Sequence, residues 1–112
     1  MLAAVLLLVL TATTGWAAGR MQFWNLTEGT IQHLYLAPAG STQWSPDQCA
    51  NDPDGTVDHD ERLKLVGLNP GRYDVKLMDS RGRICVVRNV ELRGDRAYAF
   101  SLSEADLKDC GK

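Results

Sequence analysis

The densest chemistry in this sequence is a run of carboxylates. Between Asp47 and Glu61 there are six acids and neither a Lys nor an Arg. Hard cations such as calcium take roughly six to eight oxygen ligands, commonly from a tight loop. Asp52-Pro53-Asp54-Gly55-Thr56-Val57-Asp58, followed by Glu61, matches part of the EF-hand calcium loop. Gly55 falls where that loop turns sharply, Val57 in its apolar slot and Glu61 in its bidentate slot. The departures are equally plain. Ala50 occupies the first ligand slot, Pro53 interrupts the loop, and the residues that follow read as a strand instead of a helix. Asp-Pro-Asp-Gly is also ordinary turn chemistry. Two readings stand: a solvated acidic loop, or a calcium site drawing on Asp52, Asp54, Asp58, Asp60 and Glu61.

Nucleophilic catalysis has little to draw on. No serine sits in a Gly-x-Ser-x-Gly elbow. His33 lies in a strand-like run and His59 in the acidic loop; Cys49 with His59 makes a thiol–imidazole pair of the kind that chance supplies. Neither histidine has a cysteine at zinc-finger spacing, so structural zinc is not expected. No enzyme is expected. Trp24, Tyr35 and Trp44 could form a contact surface for a sugar or a peptide, or simply pack a small core. Asn25-Leu26-Thr27 matches a glycosylation sequon.

The compartment decides how the cysteines are read. Leu2 to Leu10 is an unbroken apolar run, followed by small and polar residues with a small-x-small site at Gly15-Trp16-Ala17 or one residue later. This is the pattern of a cleaved secretory signal helix over residues 1–17. It is too short to span a bilayer, which takes ~20 apolar residues. No Lys or Arg precedes it, and an uncleaved apolar tail or anchor is the alternative. Residues 18–112 then form a single exported domain whose membrane contact is confined to transit. In an oxidising compartment Cys49, Cys85 and Cys110 should give one bridge and one odd thiol. Three pairings are open. Cys85–Cys110 is favoured because it ties a fraying terminus to an apolar strand, closing a loop of about 25 residues worth roughly 3 kcal/mol. Cys49 is then the odd thiol, either buried or bridging to a second copy in a homodimer.

The formal net charge is −2, which argues against a nucleic-acid partner, since phosphate binding favours a clustered basic surface. The imbalance is local. After the acidic loop, Arg62 to Lys112 holds eleven bases and seven acids. The loop could dock on a basic patch containing Arg81, Arg83, Arg88, Arg93 and Arg96, or remain a solvated acidic surface.

The elements that must position these residues are short strands. Met21–Leu26 and Ile31–Ala37 are expected to pair as an antiparallel hairpin across Thr27-Glu28-Gly29-Thr30. Alternation places His33 on the face of Ile31 and Tyr35. Ser45-Pro46 predicts a short helical turn with Ser45 as its cap. Strands are expected from Arg62, across Tyr73–Met78, Ile84–Val90 and Ala97–Leu102, separated by Asn69-Pro70-Gly71, Asp79-Ser80-Arg81-Gly82 and Arg93-Gly94-Asp95-Arg96. Ser103-Glu104-Ala105-Asp106 predicts a capped, short C-terminal helix. About six short strands make a small antiparallel all-β sandwich or barrel. No crossover helix is long enough for a parallel sheet.

Phe23-x-Asn25-x-Thr27, Thr30-Ile31-x-x-Leu34-Tyr35-Leu36-Ala37-Pro38-Ala39-Gly40, Trp44, Pro70-Gly71-Arg72-Tyr73-Asp74-Val75-Lys76-Leu77 and Gly82-Arg83-x-Cys85 together resemble a family of small, uncharacterised secreted or periplasmic bacterial β proteins. The resemblance covers roughly Gln22 to Cys110. It implies a bacterial exported β protein, makes the sequon a coincidence, and implies no activity. The Pro-Gly-x-Tyr-x-Val turn and strand is also similar to transthyretin-like and carboxypeptidase-regulatory sandwich domains. The functional expectation is an exported binding or interaction module for a protein or small ligand, needing no cofactor. A calcium-dependent version using residues 52–61 is the alternative.

Overall fold

A computed structural model describes residues 21–108 and Cys110. The expected leader, residues 1–17, lies outside the described residues. Six strands form two three-stranded sheets. They are β1 (Gln22–Leu26), β2 (Ile31–Pro38), β3 (Arg62–Lys64), β4 (Gly71–Asp79), β5 (Ile84–Leu92) and β6 (Phe100–Ser103). One sheet has the order β3-β1-β6, the other β2-β4-β5. The expected small all-β architecture is what the chain adopts.

Alternation drives the burial. In β1, Phe23 and Asn25 are buried while Gln22, Trp24 and Leu26 are partly exposed. Phe23 meets Phe100 of β6 with ring centroids 4.8 Å apart. Leu34, Leu36, Val75 and Leu77 contribute the opposing layer, each no more than 1% exposed. Fully burying a side chain of this kind stabilises by roughly 1.5–3 kcal/mol. These few large residues therefore carry much of the fold.

The expected β1–β2 hairpin does not form. β1 pairs with β3 and β6, whereas β2 pairs with β4. The cause is a corner built on Asn25. Its side-chain amide donates to the carbonyls of Gly29 (3.0 Å) and Val57 (2.9 Å). Its Oδ1 accepts from the Thr27 amide (3.0 Å) and hydroxyl (2.6 Å). Residues 27–30 therefore turn the chain from one sheet into the other. Burial of Asn25 and Thr27, both 0% exposed, also removes the sequon from any modifying enzyme in the folded chain.

A second departure is that β1 and β6 run parallel. The crossover-helix argument governs strands joined directly. Here the rest of the domain makes the connection, so no helix is needed.

The expected turn near Ser45 forms later, as a 3₁₀ helix over Gln48–Asn51 capped by Asp47. Ser45 Oγ instead accepts a hydrogen bond from the Leu36 amide. The terminal 3₁₀ helix spans Glu104–Leu107, with the Asp106 carboxylate accepting from the Ser103 amide at 2.8 Å. The last strand begins at Phe100, later than alternation suggested. Just beyond that helix, Cys110 is bonded to Cys85 of β5, as the cysteine arithmetic expected, and Cys49 is the free thiol. No helix of the described residues is long and apolar enough to cross a membrane.

Candidate functional site

The irregular segment between β2 and β3 runs along the outer edge of β2. Ile31 and Val57 exchange backbone hydrogen bonds, both 2.9 Å. The Leu34 amide donates to Asp47 Oδ1 at 3.0 Å, and the Leu36 amide to Ser45 Oγ at 3.1 Å. Ser45 returns its own amide to the Leu36 carbonyl at 2.7 Å. Side chains and loop backbone thus satisfy groups that an unpaired strand edge would present to other chains. Asp47 is the central piece. It also accepts from the Cys49 amide (3.0 Å), and its Oδ2 lies 2.6 Å from His33 Nδ1. Burial opposes its ionisation, but the Leu34 amide, His33 and the Cys49 amide outweigh that and hold its pKa below the usual carboxylate value.

This arrangement corrects the placement of His33. A register shift between Ile31 and His33 in the β2–β4 pairing puts Gln32 in as an extra residue. Ile31 stays in the core, while His33 faces outward and its side chain is 46% exposed.

The acidic loop is spent on local structure. Asp52 Oδ1 accepts from the Asp54 amide at 2.8 Å. Asp58 accepts from the Thr30 hydroxyl at 2.9 Å. Asp60, in a left-handed conformation (φ 68°), holds the indole N–H of Trp24 at 2.9 Å. Val57 is fully buried. It pins the middle of the loop to β2. Asp58 and Glu61 do approach one another: a hydrogen bond to Asp58, then burial, then the charge of Asp58, raise the Glu61 pKa. Two carboxylates fall short of the roughly six to eight oxygens calcium takes. Among the described residues no three His, Cys, Asp or Glu side chains converge as a metal site. The calcium pool read from the sequence is therefore not assembled.

The thiol–imidazole pair is not assembled either. His59 Nδ1 donates to the Thr27 carbonyl at 2.7 Å. Cys49 is 1% exposed, with its Sγ directed at the Ile31 carbonyl. Burial, then Asp47, then Asp52, push its thiol up to about 12. Such a thiol is unreactive and, in the folded chain, out of reach of a second copy.

The three aromatic candidates part company. Trp24 belongs to the β3-β1-β6 sheet, where it packs edge-on to Tyr98 at 5.3 Å and carries the Arg62 guanidinium 4.8 Å above its ring. Tyr35 and Trp44 lie on the outer face of the other sheet and flank Lys76, whose Nζ is 5.1 Å and 4.7 Å from the two ring centroids. His33 stacks near Tyr35 at 6.4 Å. Strand register sets the rest of this face. His33, Met78 and Ile84 form one row; Tyr35, Lys76 and Val86 form the next. Ile84 and Val86 are 57% and 40% exposed. They were read in the sequence only as part of an apolar strand, Ile84–Val90. The missed signal was their position in an edge strand, which the sequence alone does not give.

Four of the five arginines expected to receive the acidic loop are paired elsewhere. Arg81 meets Glu28, Arg83 meets Asp79 and Glu104, Arg88 meets Asp74, and Arg93 meets Asp95. Buried Asp79 orders the β4–β5 turn by accepting from the Arg81 and Arg83 amides, each at 3.0 Å. Buried Asp74 does the same for a bulge, accepting from the Gly40 and Asn89 amides at 3.0 Å. Asn89 has a positive φ of 57° there.

Two open clefts stand out among the described residues. One, of about 590 Å³, lies between Arg72, Glu91, Arg93 and Asp95, whose charges pair with one another. The other, of about 400 Å³, is more apolar and is lined by Leu36, Pro46, Val66, Leu68 and Tyr73. Neither brings together a nucleophile, a base and an oxyanion donor. The outer face of β2-β4-β5 is thus the best-defined surface with unspent chemistry. No family model matches the chain, and no curated protein or solved structure is found similar to it.

Proposed function

We propose that this chain is a small exported β module that acts by binding, without a reaction of its own, through the outer face of the β2-β4-β5 sheet. One observation carries the reading. Two of its exposed large hydrophobics, Ile84 and Val86, share rows with His33, Met78, Tyr35 and Lys76 on rigid strands. Apolar and aromatic side chains interleaved with a cation are the composition of a contact surface. Export to the periplasm or the medium is supported by the apolar leader and by the Cys85–Cys110 bridge. The family resemblance read from the sequence supports it too.

Panning a random peptide library on the exported protein, followed by amide chemical-shift mapping, tests the reading. Ligands that shift β2, β4 and β5, and that fail to bind an Ile84→Glu/Val86→Glu variant, support it. Ligands that shift only the β3-β1-β6 sheet, or a chain retained in the cytosol at precursor mass, overturn it.

A further inference from the structure

The two long edges of the sandwich are treated differently. The β2 edge is sealed by Ser45, Asp47 and Val57. β3 and β6 are only three and four residues long. β5 has nine residues. Among the described residues, no backbone hydrogen bond joins Ile84–Arg88 to any segment other than β4. Long edge strands that expose apolar residues, as β5 does with Ile84 and Val86, are what proteins normally cover.

Hydrogen-bond parity says which groups are free. The Asp79 amide donates to the Arg83 carbonyl at 3.1 Å, closing the β4–β5 hairpin. Counting from that pair, Leu77/Cys85 and Val75/Val87 are the pairs that exchange hydrogen bonds within the register. The N–H and C=O groups of Ile84, Val86 and Arg88 therefore point away from β4. Their side chains all stand on the outer face, with Arg88 already matched by Asp74 at 3.1 Å.

We propose that β5 pairs antiparallel with β5 of a second copy of this chain, about a two-fold axis at Val86; this rests on the binding-module reading above and adds a partner at the β5 edge of the same sheet. Parity allows this register, because Val86 faces the partner's Val86 as a hydrogen-bonded pair and Ile84 faces the partner's Arg88. No like charges stand opposite one another, and the arginine stem can cover the isoleucine without leaving an unpaired charge. The bulge at Asn89 ends the pairing. The result is a six-stranded sheet whose two outer edges are the sealed β2 strands, so assembly stops at two copies.

Sedimentation equilibrium of the exported chain should show a dimer. Val86→Pro removes an outward-facing donor while sparing the β4 ladder, and should return the monomer. Val86→Cys should oxidise to a covalent dimer, since a hydrogen-bonded antiparallel pair holds its Cα atoms about 5.5 Å apart, within disulfide reach. Ile84→Cys should not. Non-reducing peptide mapping checks that Cys85–Cys110 is intact in both variants. A wild-type chain that sediments as a monomer at every concentration, or a Val86→Cys variant that cross-links no better than Ile84→Cys, overturns the proposal. A monomer whose β5 amides still shift on adding a panned extended peptide overturns the dimer and leaves the binding reading standing. A monomer with no such response overturns both.

Discussion

Asp47 Oδ1 stands in for a strand carbonyl: it accepts the Leu34 amide of β2 at 3.0 Å. The same carboxylate caps the 3₁₀ helix through Cys49 and holds His33. One acid thus joins a strand edge, a helix start and the burial of the free thiol. Asp47→Ala should cost about 2 kcal/mol, because it removes a cap and orphans the Leu34 donor. It should also raise the rate at which Cys49 reacts with a thiol reagent in the native protein. Urea unfolding and native-state labelling measure the two effects. An Asp47→Ala protein with wild-type stability and a silent Cys49 would show that the edge is sealed by other groups.

Asn25 is the corresponding device on the other sheet. Removing its side chain leaves the buried Thr27 amide without a partner and takes one hydrogen bond each from the Thr27 hydroxyl and the Gly29 and Val57 carbonyls. Asn25→Ala should destabilise by about 3 kcal/mol, in the range for breaking a buried polar network. Asn25→Asp keeps the acceptor, loses both donors and buries a charge, so it should be no better tolerated. Thermal melts of both variants test this. A loss no larger than that of an exposed substitution such as Arg96→Ala would refute the corner.

Strand positions, turns and the bridge were legible because they rest on local patterns. Tyr73, Val75 and Leu77 alternate, Asp79-Ser80-Arg81-Gly82 has turn composition, and Cys85 sits in an apolar run. Sheet membership was not legible. Asn25 carries the same residue type whether it ends a hairpin or bridges two sheets, and only Val57, far along the chain, decides between them. His33 was misplaced for a related reason. One extra residue in β2 inverts the faces, and nothing around Gln32 announces a bulge. The candidate surface was half visible. Tyr35 and Trp44 do meet around Lys76, but Trp24 was grouped with them by type, although its strand lies in the other sheet.

The acidic loop gives a prediction with a sharp sign. Asp52, Asp54, Asp58, Asp60 and Glu61 are divided among turn, side-chain and indole contacts rather than gathered around one point. A ligand that binds only the native state raises its stability in proportion to the logarithm of ligand concentration over Kd. Millimolar calcium should therefore leave Tm where it is, beyond the general effect of ionic strength seen equally with magnesium. A calcium-specific rise in Tm, abolished by Asp58→Asn or Glu61→Gln, would mean that the loop rearranges to bind.

Acid should weaken the pair between the β4–β5 turn and the terminal helix. The Arg83 guanidinium, then the Glu28 amide, lower the Glu104 pKa from 4.5 to about 2. A carboxylate depressed in the folded state adds stability that is complete above its unfolded value and fades as protons bind the native form. The contribution of Glu104 should thus be full above pH 4.5 and be lost as pH falls towards 2. Its side chain is 36% exposed. Solvent and salt screen the pair accordingly, and the effect should shrink at high ionic strength. Glu104→Gln should be less stable than wild type at neutral pH, and the two should converge as pH approaches 2. Urea midpoints collected across that range at low and high salt provide the measurement. Parallel curves, with the gap unchanged by acid, would mean that Glu104 acts through packing and not through its charge.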